Sequence, residues 1–348
     1  MVDRSGPPGP AAALERIAYL LEQTQQPTYR VRAFRRASAS AAEAGVPRLR
    51  ELATANRLTD LPGIGDSTAR VIAEALSGSV PDYLVRLEGE AGAPVEHDAA
   101  VSGLLQALRG DLHAHSDWSD GGSPIEVMAR AARDLGHEYM ALTDHSPRLT
   151  VANGLSTARL TAQLGVVAEL NGDLAPFRVL TGIEVDILDD GTLDQDPELL
   201  GALDVVVASV HSKLRMGARE MTERMVTAVS NPNVDVLGHC TGRIVVGKGR
   251  PPSTFDPEAV FAACAGHGTA VEINSRPERL DPPDDLLARA VDAGCSVSID
   301  TDAHAPGQLE WQVHGARKAV ACGLGVDRVV NAKPVEELLA WTKERSGT

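Results

Sequence analysis

Residues 110–145 read GDLHAHSDWSDGGSPIEVMARAARDLGHEYMALTDH. The stretch opens on a short run closing in His-Ala-His and passes through a Gly/Ser/Asp-rich loop. It continues with apolar residues at helical spacing and ends on a second short run closing in Thr-Asp-His. That order predicts a strand, a helix and a strand. Side chains two apart on a strand face the same way. His113 and His115 can therefore grip one ion, and His145 stands at the end of the next strand.

The same texture runs on toward the C-terminal end. Candidate strands cover 110–115, 139–144, 178–185, 204–210, 234–239, 269–274 and 296–302, with helical segments such as FDPEAVFAACAGHG between most of them. Repeated strand–helix units imply a parallel sheet, and this many of them a barrel, so the fold class is α/β. The later strands also end on potential ligands: Glu184 in GIEVDI, His211 in ASVHS, His239 in LGHC, and Asp302 with His304 in SIDTDAH. In a parallel barrel such ends converge on one rim, the face where barrel enzymes place their chemistry. One histidine at a strand end is commonly a hydrogen-bonded structural residue. Imidazoles and carboxylates recurring at end after end read as a site. Asp120, in the first loop, joins them. His97, His137, His267 and His314 fall away from strand ends and read as surface or structural residues. Cys240 would point to the opposite face of its strand and is left out of the ligand set.

His and carboxylate donors without thiolate suit Zn²⁺, Mn²⁺ or Fe²⁺. Two or three such ions close together lower the pKa of bound water and clamp a phosphoryl group, which makes phosphoester hydrolysis the natural chemistry. Amide hydrolysis is its chemical competitor.

Composition agrees with two parts. The chain has 348 residues, and roughly 150 residues per domain gives about two domains. Residues 1–90 carry 11 Arg, no Lys and 11 acidic residues, so the net charge of −15 falls entirely on the remainder. Acidic protein repels nucleic acid unless positive charge is concentrated or metal is bound. The cysteines at 240, 264, 295 and 322 form no CxxC pair, which argues against a thiolate zinc site or a disulfide framework and fits a reducing cytoplasm. No apolar run is long enough for a membrane span. The opening MVDRSGPPGP lacks a signal-peptide pattern and reads as a loose tail over 1–10. Residues 11–90 read as all helix, with the turn LPGIG at 61–65 opening a helix that Asp66 or Ser67 could cap. Residues 91–108 read as a linker with a short helix, and 109–348 as the barrel.

GDLHAHSDWSDG, LTDHS, GIEVDIL, ASVHS, GHCTGR, EINSRPERLD and IDTDAH, in that order, resemble the signatures of the PHP (polymerase and histidinol phosphatase) family over about residues 109–348. GIEVDILDDGTLD and MTERMVTAVSNPNVDVLGH are more narrowly similar to the PHP domain of bacterial family-X DNA polymerases. The resemblance implies a distorted (β/α)7 TIM-like PHP barrel with three divalent metal ions. His113, His115, Glu184 and Asp302 would hold one ion, and Asp120, His145 and His304 a second. Glu184 would bridge to a third, held with His211 and His239.

Residues 11–90 resemble the small helix-hairpin-helix, lyase-type domain that begins family-X polymerases. Physically, Gly63 and Gly65 let the backbone approach a phosphate, and the helix N-terminus behind them points its amides at the anion. With Arg30, Arg32, Arg35 and Arg36 nearby, the expected partner is the DNA backbone; the bland alternative is a solvated arginine face. Aligned on LPGIG, the family's Schiff-base lysine falls on Val71, and a Schiff base needs an amine. Lyase chemistry by that route is not expected. No polymerase palm fits in the short linker, which excludes nucleotide polymerisation.

The implied mechanism is attack of metal-bound hydroxide on a DNA phosphodiester, giving 3′-to-5′ exonuclease or 3′-end-processing activity in DNA repair. Arg243, and Arg276 or Arg279, just beyond strand ends, would pair with phosphate oxygens; local salt bridges to Glu278 or Asp281 are the alternative. Ser116 and Asp117 would support the ligands from behind. Two other classes stay open: a small-molecule phosphomonoesterase of the histidinol-phosphatase type, and a DNA-binding scaffold with an idle barrel.

Overall fold

A computed structural model of the chain describes residues 7–91 and 98–346. The first part of the expected tail (1–6), the middle of the expected linker with His97 (92–97) and the last two residues lie outside them. The chain divides into two compact units between residues 96 and 97.

The first unit is helical: α1 Pro10–Gln23, α2 Thr28–Thr54, α3 Asp66–Leu76 and α4 Asp82–Ala91. Leu14, Ile17 and Leu21 recur at helical spacing on α1 and are fully buried, in one core with Phe34, Leu49, Ile72 and Leu84. α2 breaks at Gly45, where φ is 73°. In the LPGIG turn Gly63 takes φ 78°, and a Cβ there would stand 3.3 Å from Arg36 Cβ. A larger residue would be strained and would push against α2. The expected caps of α3 are corrected: Gly65 is the N-cap residue, extended, with its N–H donating to Thr68 Oγ1 at 3.0 Å. Asp66 already lies inside the helix, because the extended backbone at Gly65 lets the first turn begin there.

The second unit starts with α5 Ala99–Ala107. It continues β1 Gly110–Ala114, α6 Ile125–Asp134, β2 Tyr139–Leu142, α7 Thr157–Leu174, β3 Arg178–Asp186, α8 Pro197–Gly201 and β4 Val205–Ser209. α9 Ala218–Val229, β5 Val236–Leu237, α10 Pro257–His267, β6 Ala270–Asn274, α11 Asp284–Asp292, β7 Val297–Asp300, α12 Gln312–Ala321 and α13 Val335–Ser346 complete it. The strands form one seven-stranded parallel sheet in sequential order, a nearly closed barrel with helices around it. Alternation along the strands sorts the side chains. Met140 and Leu142 pack outward with Met128 and Ala129 of α6. Tyr139, Ala141, Leu180, Val205, Val207, Val236 and Ala270 fill a separate apolar core with Val330 and Leu338.

β1 and β7 are not joined by a regular ladder. A single bridge, Ala114 with Ala303, links the last residue of β1 to the chain just past β7. Elsewhere side chains stitch the seam. Asn331 Nδ2 donates to the carbonyls of Gly110 (3.0 Å) and Ile299 (2.8 Å), and Gln312 Nε2 to the same two at 2.9 and 3.0 Å. Asp300 Oδ1 accepts from Leu112 N at 2.8 Å, and Asp111 Oδ2 from Thr301 Oγ1 at 2.5 Å.

Candidate metal centre

Glu184 is the hub. It is almost wholly buried near the end of β3, and five imidazoles surround its carboxylate. Oε2 lies 3.3 Å from His113 Nε2, 3.6 Å from His115 Nε2 and 2.9 Å from His145 Nδ1; Oε1 lies 3.2 Å from His211 Nε2 and 2.9 Å from His239 Nε2. Asp120 Oδ1 stands 3.5 Å from His145 Nε2 and 3.4 Å from His304 Nε2, and Asp302 Oδ1 stands 3.4 Å from His115 Nε2. The structure thus brings together every residue expected as a metal ligand. Donor atoms fall into three overlapping groups within which all lie inside 4.8 Å: His115, Asp120, His145 and His304; His113, His115 and Glu184; and His145, Glu184 and His211. His115 and His145 each belong to two groups, a sharing that the spacing of the motifs did not reveal.

Local backbone differs from the expectation in one place. β7 ends at Asp300, and Asp302 adopts φ 53°, so Asp302 and His304 converge through a left-handed turn rather than by strand alternation.

The donors are poised for a cation. His113 Nε2, both ring nitrogens of His115, His145 Nδ1, Glu184 Oε1 and His239 Nδ1 are buried without a hydrogen-bond partner. Leaving so many polar atoms unsatisfied costs roughly 1–3 kcal/mol each unless a ligand takes them up. Burial, with the imidazoles of His304 and His145 beside it, pushes His115 down to about 3, so it stays a neutral lone-pair donor. Burial opposes ionisation of Glu184, yet His211, His113 and His145 hold it well below the carboxylate range. The same competition, won by Arg276 and its neighbours, keeps Asp302 ionised. The donor set fits a divalent ion of the Zn²⁺, Mn²⁺ or Fe²⁺ type.

A cavity of about 420 Å³ opens over the cluster, lined besides the ligands by Arg276, Glu278, Arg279, Leu149 and Ile244. Arg279 Nε lies 3.2 Å from Asp302 Oδ2, and its Nη1 is buried with no partner. Arg276 Nη1 lies 3.6 Å from Asp302 Oδ1. Arg243 is a correction. It does not line the cavity; its Nε donates to Arg279 O at 2.9 Å and its Nη2 to Leu280 O, clamping the turn that carries the other two arginines. Ser116 donates Oγ to the buried carboxylate of Asp144 at 2.6 Å, whereas Asp117 lines a separate surface pocket beside Trp118. His137, His267 and His314 stay outside the donor groups, and Cys240 lies buried in the outer core.

Sequence reasoning missed two carboxylates that hold ligands. Asp186 Oδ1 lies 2.5 Å from His211 Nδ1, and Glu272 Oε1 lies 2.6 Å from His113 Nδ1. The signal was present: Asp186 sits two residues beyond Glu184 on the same strand, hence on the same face.

In the helical unit the expected DNA-contacting residues part company. Arg32, Arg36, Gly63 and Gly65 are exposed. Arg30 stacks on Tyr83, 5.7 Å from the ring centre, in a pocket of about 800 Å³ that also includes Gly63, Gly65 and Val71. Arg35 is a second correction. Its Nε and Nη2 reach the nearly buried Glu22 carboxylate at 2.9 and 2.7 Å, so its charge is spent joining α2 to α1.

A family model described as "PHP domain" matches residues 111–274, and one described as "Helix-hairpin-helix domain" matches residues 7–79. The Bacillus subtilis protein called DNA polymerase/3′-5′ exonuclease PolX is 38% identical over 256 residues, which is 73% of this chain and 45% of that protein. The chain thus spans less than half of that relative's length. A probable phosphatase of Thermoanaerobacter sp. is 28% identical over 253 residues, 68% of this chain and 96% of its own. Among solved structures, a histidinol phosphate phosphatase of Lactococcus lactis, complexed with zinc, L-histidinol and phosphate, aligns at TM-score 0.46 and 19% identity over 63% of this chain and 95% of its own.

Proposed function

The chain carries a PHP domain and, ahead of it, a helix-hairpin-helix domain, and from that premise we propose that it is a metal-dependent phosphoesterase that trims DNA 3′ ends, as a 3′-to-5′ exonuclease or 3′-end-processing enzyme in DNA repair. The observation that carries the reading is one cavity over the Glu184-centred donor cluster that Arg276 and Arg279 also line. His113, His115, Glu184 and Asp302 would hold one ion, Asp120, His145 and His304 with His115 a second, and Glu184, His211 and His239 with His145 a third. What such ions supply when bound is Lewis acidity toward a phosphoryl oxygen and a water acidic enough to ionise near neutral pH.

The protein's own groups do the rest. Arg279, whose Nη1 has no partner, lines the cavity and would pair with the non-bridging oxygens of a phosphate. Arg276 is engaged locally, its Nη1 reaching Asp302 O at 3.1 Å and His304 Nδ1 at 3.0 Å and its Nε lying 3.4 Å from Glu278, and would brace the ligands. Burial of the cluster removes competing solvent and strengthens each of these contacts. Leu149 and Ile244 give the cavity its apolar wall, against which a sugar or base can rest. DNA is favoured as substrate by the helix-hairpin-helix match and by the likeness to the Bacillus protein, which extends over most of this chain. The exposed Arg32, and Arg36 against the Gly63 turn, would hold the backbone.

A second reading, hydrolysis of a small phosphomonoester, is supported by the probable phosphatases, whose length is almost wholly matched. A parallel assay on 3′-recessed DNA, abasic DNA and a generic phosphomonoester, with Mn²⁺ or Zn²⁺ restored after chelation, separates the two. The expected result is cleavage of DNA that is lost in His113→Ala and weakened, through affinity, in a chain lacking the first ninety residues. Cleavage of the phosphomonoester alone, unaffected by the truncation, would favour the second reading.

A further inference from the structure

β6 is the barrel strand that gives the cluster no ligand, yet ligands from three other strands lean on it. Glu272 and Asn274, two apart and fully buried, point to the same face. Glu272 Oε1 meets His113 Nδ1, from β1, at 2.6 Å. Glu272 Oε2 accepts from the backbone N–H of His239, just past β5, at 2.5 Å and from Asn274 Nδ2 at 3.2 Å. Asn274 Nδ2 also reaches Asp302 Oδ2, just past β7, at 3.2 Å. The carboxylate of Glu272 has no Lys or Arg ion pair among the described residues, and its contacts all run toward the donor cluster.

We propose that Glu272 is the positioning residue of the metal cluster: it fixes the Nδ1–H tautomer of His113 and, through Asn274, ties together the donors that β1, β5 and β7 contribute. An imidazole has one lone pair in its neutral form, and the nitrogen that carries the proton is set by the partner of the other. With the carboxylate of Glu272 accepting from Nδ1–H, the lone pair of the neutral His113 ring sits on Nε2, the atom that faces Glu184 and the cluster. Outer partners of this type are worth about 10–100-fold in metal affinity. The His239 backbone bond adds a second constraint, since it holds the short strand β5 at the height where His239 meets Glu184.

This inference rests on the cluster being a metal site, and its test is chosen to separate the two. In full-length protein stripped of metal, Glu272→Gln keeps the shape of the side chain but removes its charge and offers an amide that can donate to Nδ1. Circular dichroism checks the fold, a Mn²⁺ titration reads affinity and stoichiometry, and ring-¹⁵N correlation spectra of histidine-labelled protein reloaded with diamagnetic Zn²⁺ read the tautomer of His113. Expected are an unchanged fold, Mn²⁺ affinity weakened by about 10–100-fold, and loss of the pure Nδ1–H signature. Mn²⁺ uptake equal to that of the unaltered chain, with the tautomer unchanged, overturns the proposal and leaves the metal-site reading standing. Failure of the unaltered chain to take up Mn²⁺ overturns both. Should Glu272→Gln not fold, Asn274→Ala loosens Glu272 and Asp302 together and is expected to weaken uptake several-fold; unchanged uptake there overturns the proposal as well.

Discussion

The barrel and the helical unit both carry clustered charge, and they organise it in opposite ways. In the barrel, ionisable groups from far-apart strands turn inward and converge on Glu184, each held by a further buried partner such as Asp186 or Glu272. In the helical unit, the arginines radiate from one surface helix. One of them, Arg35, is consumed by Glu22, while Arg32 and Arg36 remain at the surface. The difference teaches where precision is kept. Chemistry at a phosphorus atom needs groups fixed to a fraction of an ångström, which only a braced interior provides. Holding a polyanion needs only charge within reach, which flexible surface arginines supply.

The sharpest way to break this comparison is Glu184→Ala. Removing the shared carboxylate should lower hydrolysis by more than about 10³-fold, beyond the range of a single electrostatic contact, while DNA affinity in a binding assay is unchanged. Parallel loss of binding would mean the two roles are not divided between the units. A smaller effect comes from the arginines themselves. Arg35→Ala removes the two-pronged contact of its guanidinium with the nearly buried Glu22 carboxylate, and should cost about 2 kcal/mol in urea unfolding. Arg32→Ala or Arg36→Ala should change stability by less than about 0.5 kcal/mol, yet lower DNA affinity and cut its salt slope by about one. The opposite pattern would mean that Arg35 contacts DNA and that the exposed arginines are only solvated.

The smallest expected effect separates the units by pH. His137 is pushed down to about 4 by burial. Because its folded pKa lies below the unfolded value, the unfolded chain binds more protons between about pH 6.5 and 4. Stability from this group is therefore present above pH 6.5 and lost as pH falls toward 4. Residues 1–90 contain no histidine, so nothing of this kind operates there. In metal-free protein, His137→Gln should flatten the acid limb of the unfolding curve by a few kcal/mol at most; an unaltered limb would assign that loss to other groups.

Much of the barrel was legible before any coordinates. Its strands are apolar runs that, β6 apart, end on a donor, so one pattern marks both the element and its functional end. The seven expected strands correspond to those observed, although β5 shrinks to Val236–Leu237. What stayed hidden had a physical reason in each case. Glu272 acts on ligands from other strands, and contacts over such separations leave no local spacing to detect; Asp186, two residues beyond Glu184, had a spacing but fell just past the expected end of its strand. Arg243 and Arg35 have the same side chain as their neighbours, and only the packed structure decides whether a guanidinium faces a cavity, a carbonyl or a carboxylate. Asp302 reaches the site by a left-handed turn that strand periodicity cannot anticipate.

The join between β1 and β7 has a last consequence. His113 and His115 stand on one side of it, Asp302 and His304 on the other, and below them, between Gly110 and Ile299, the carboxamides of Asn331 and Gln312 replace a ladder of backbone bonds. Side-chain amides on rotatable stems can follow a small widening that paired strands would resist. At the rim the backbone itself closes the join, His115 N–H donating to Ala303 O at 2.8 Å, so any such widening is taken up lower in the wall and the spacing between the two sets of donors is preserved.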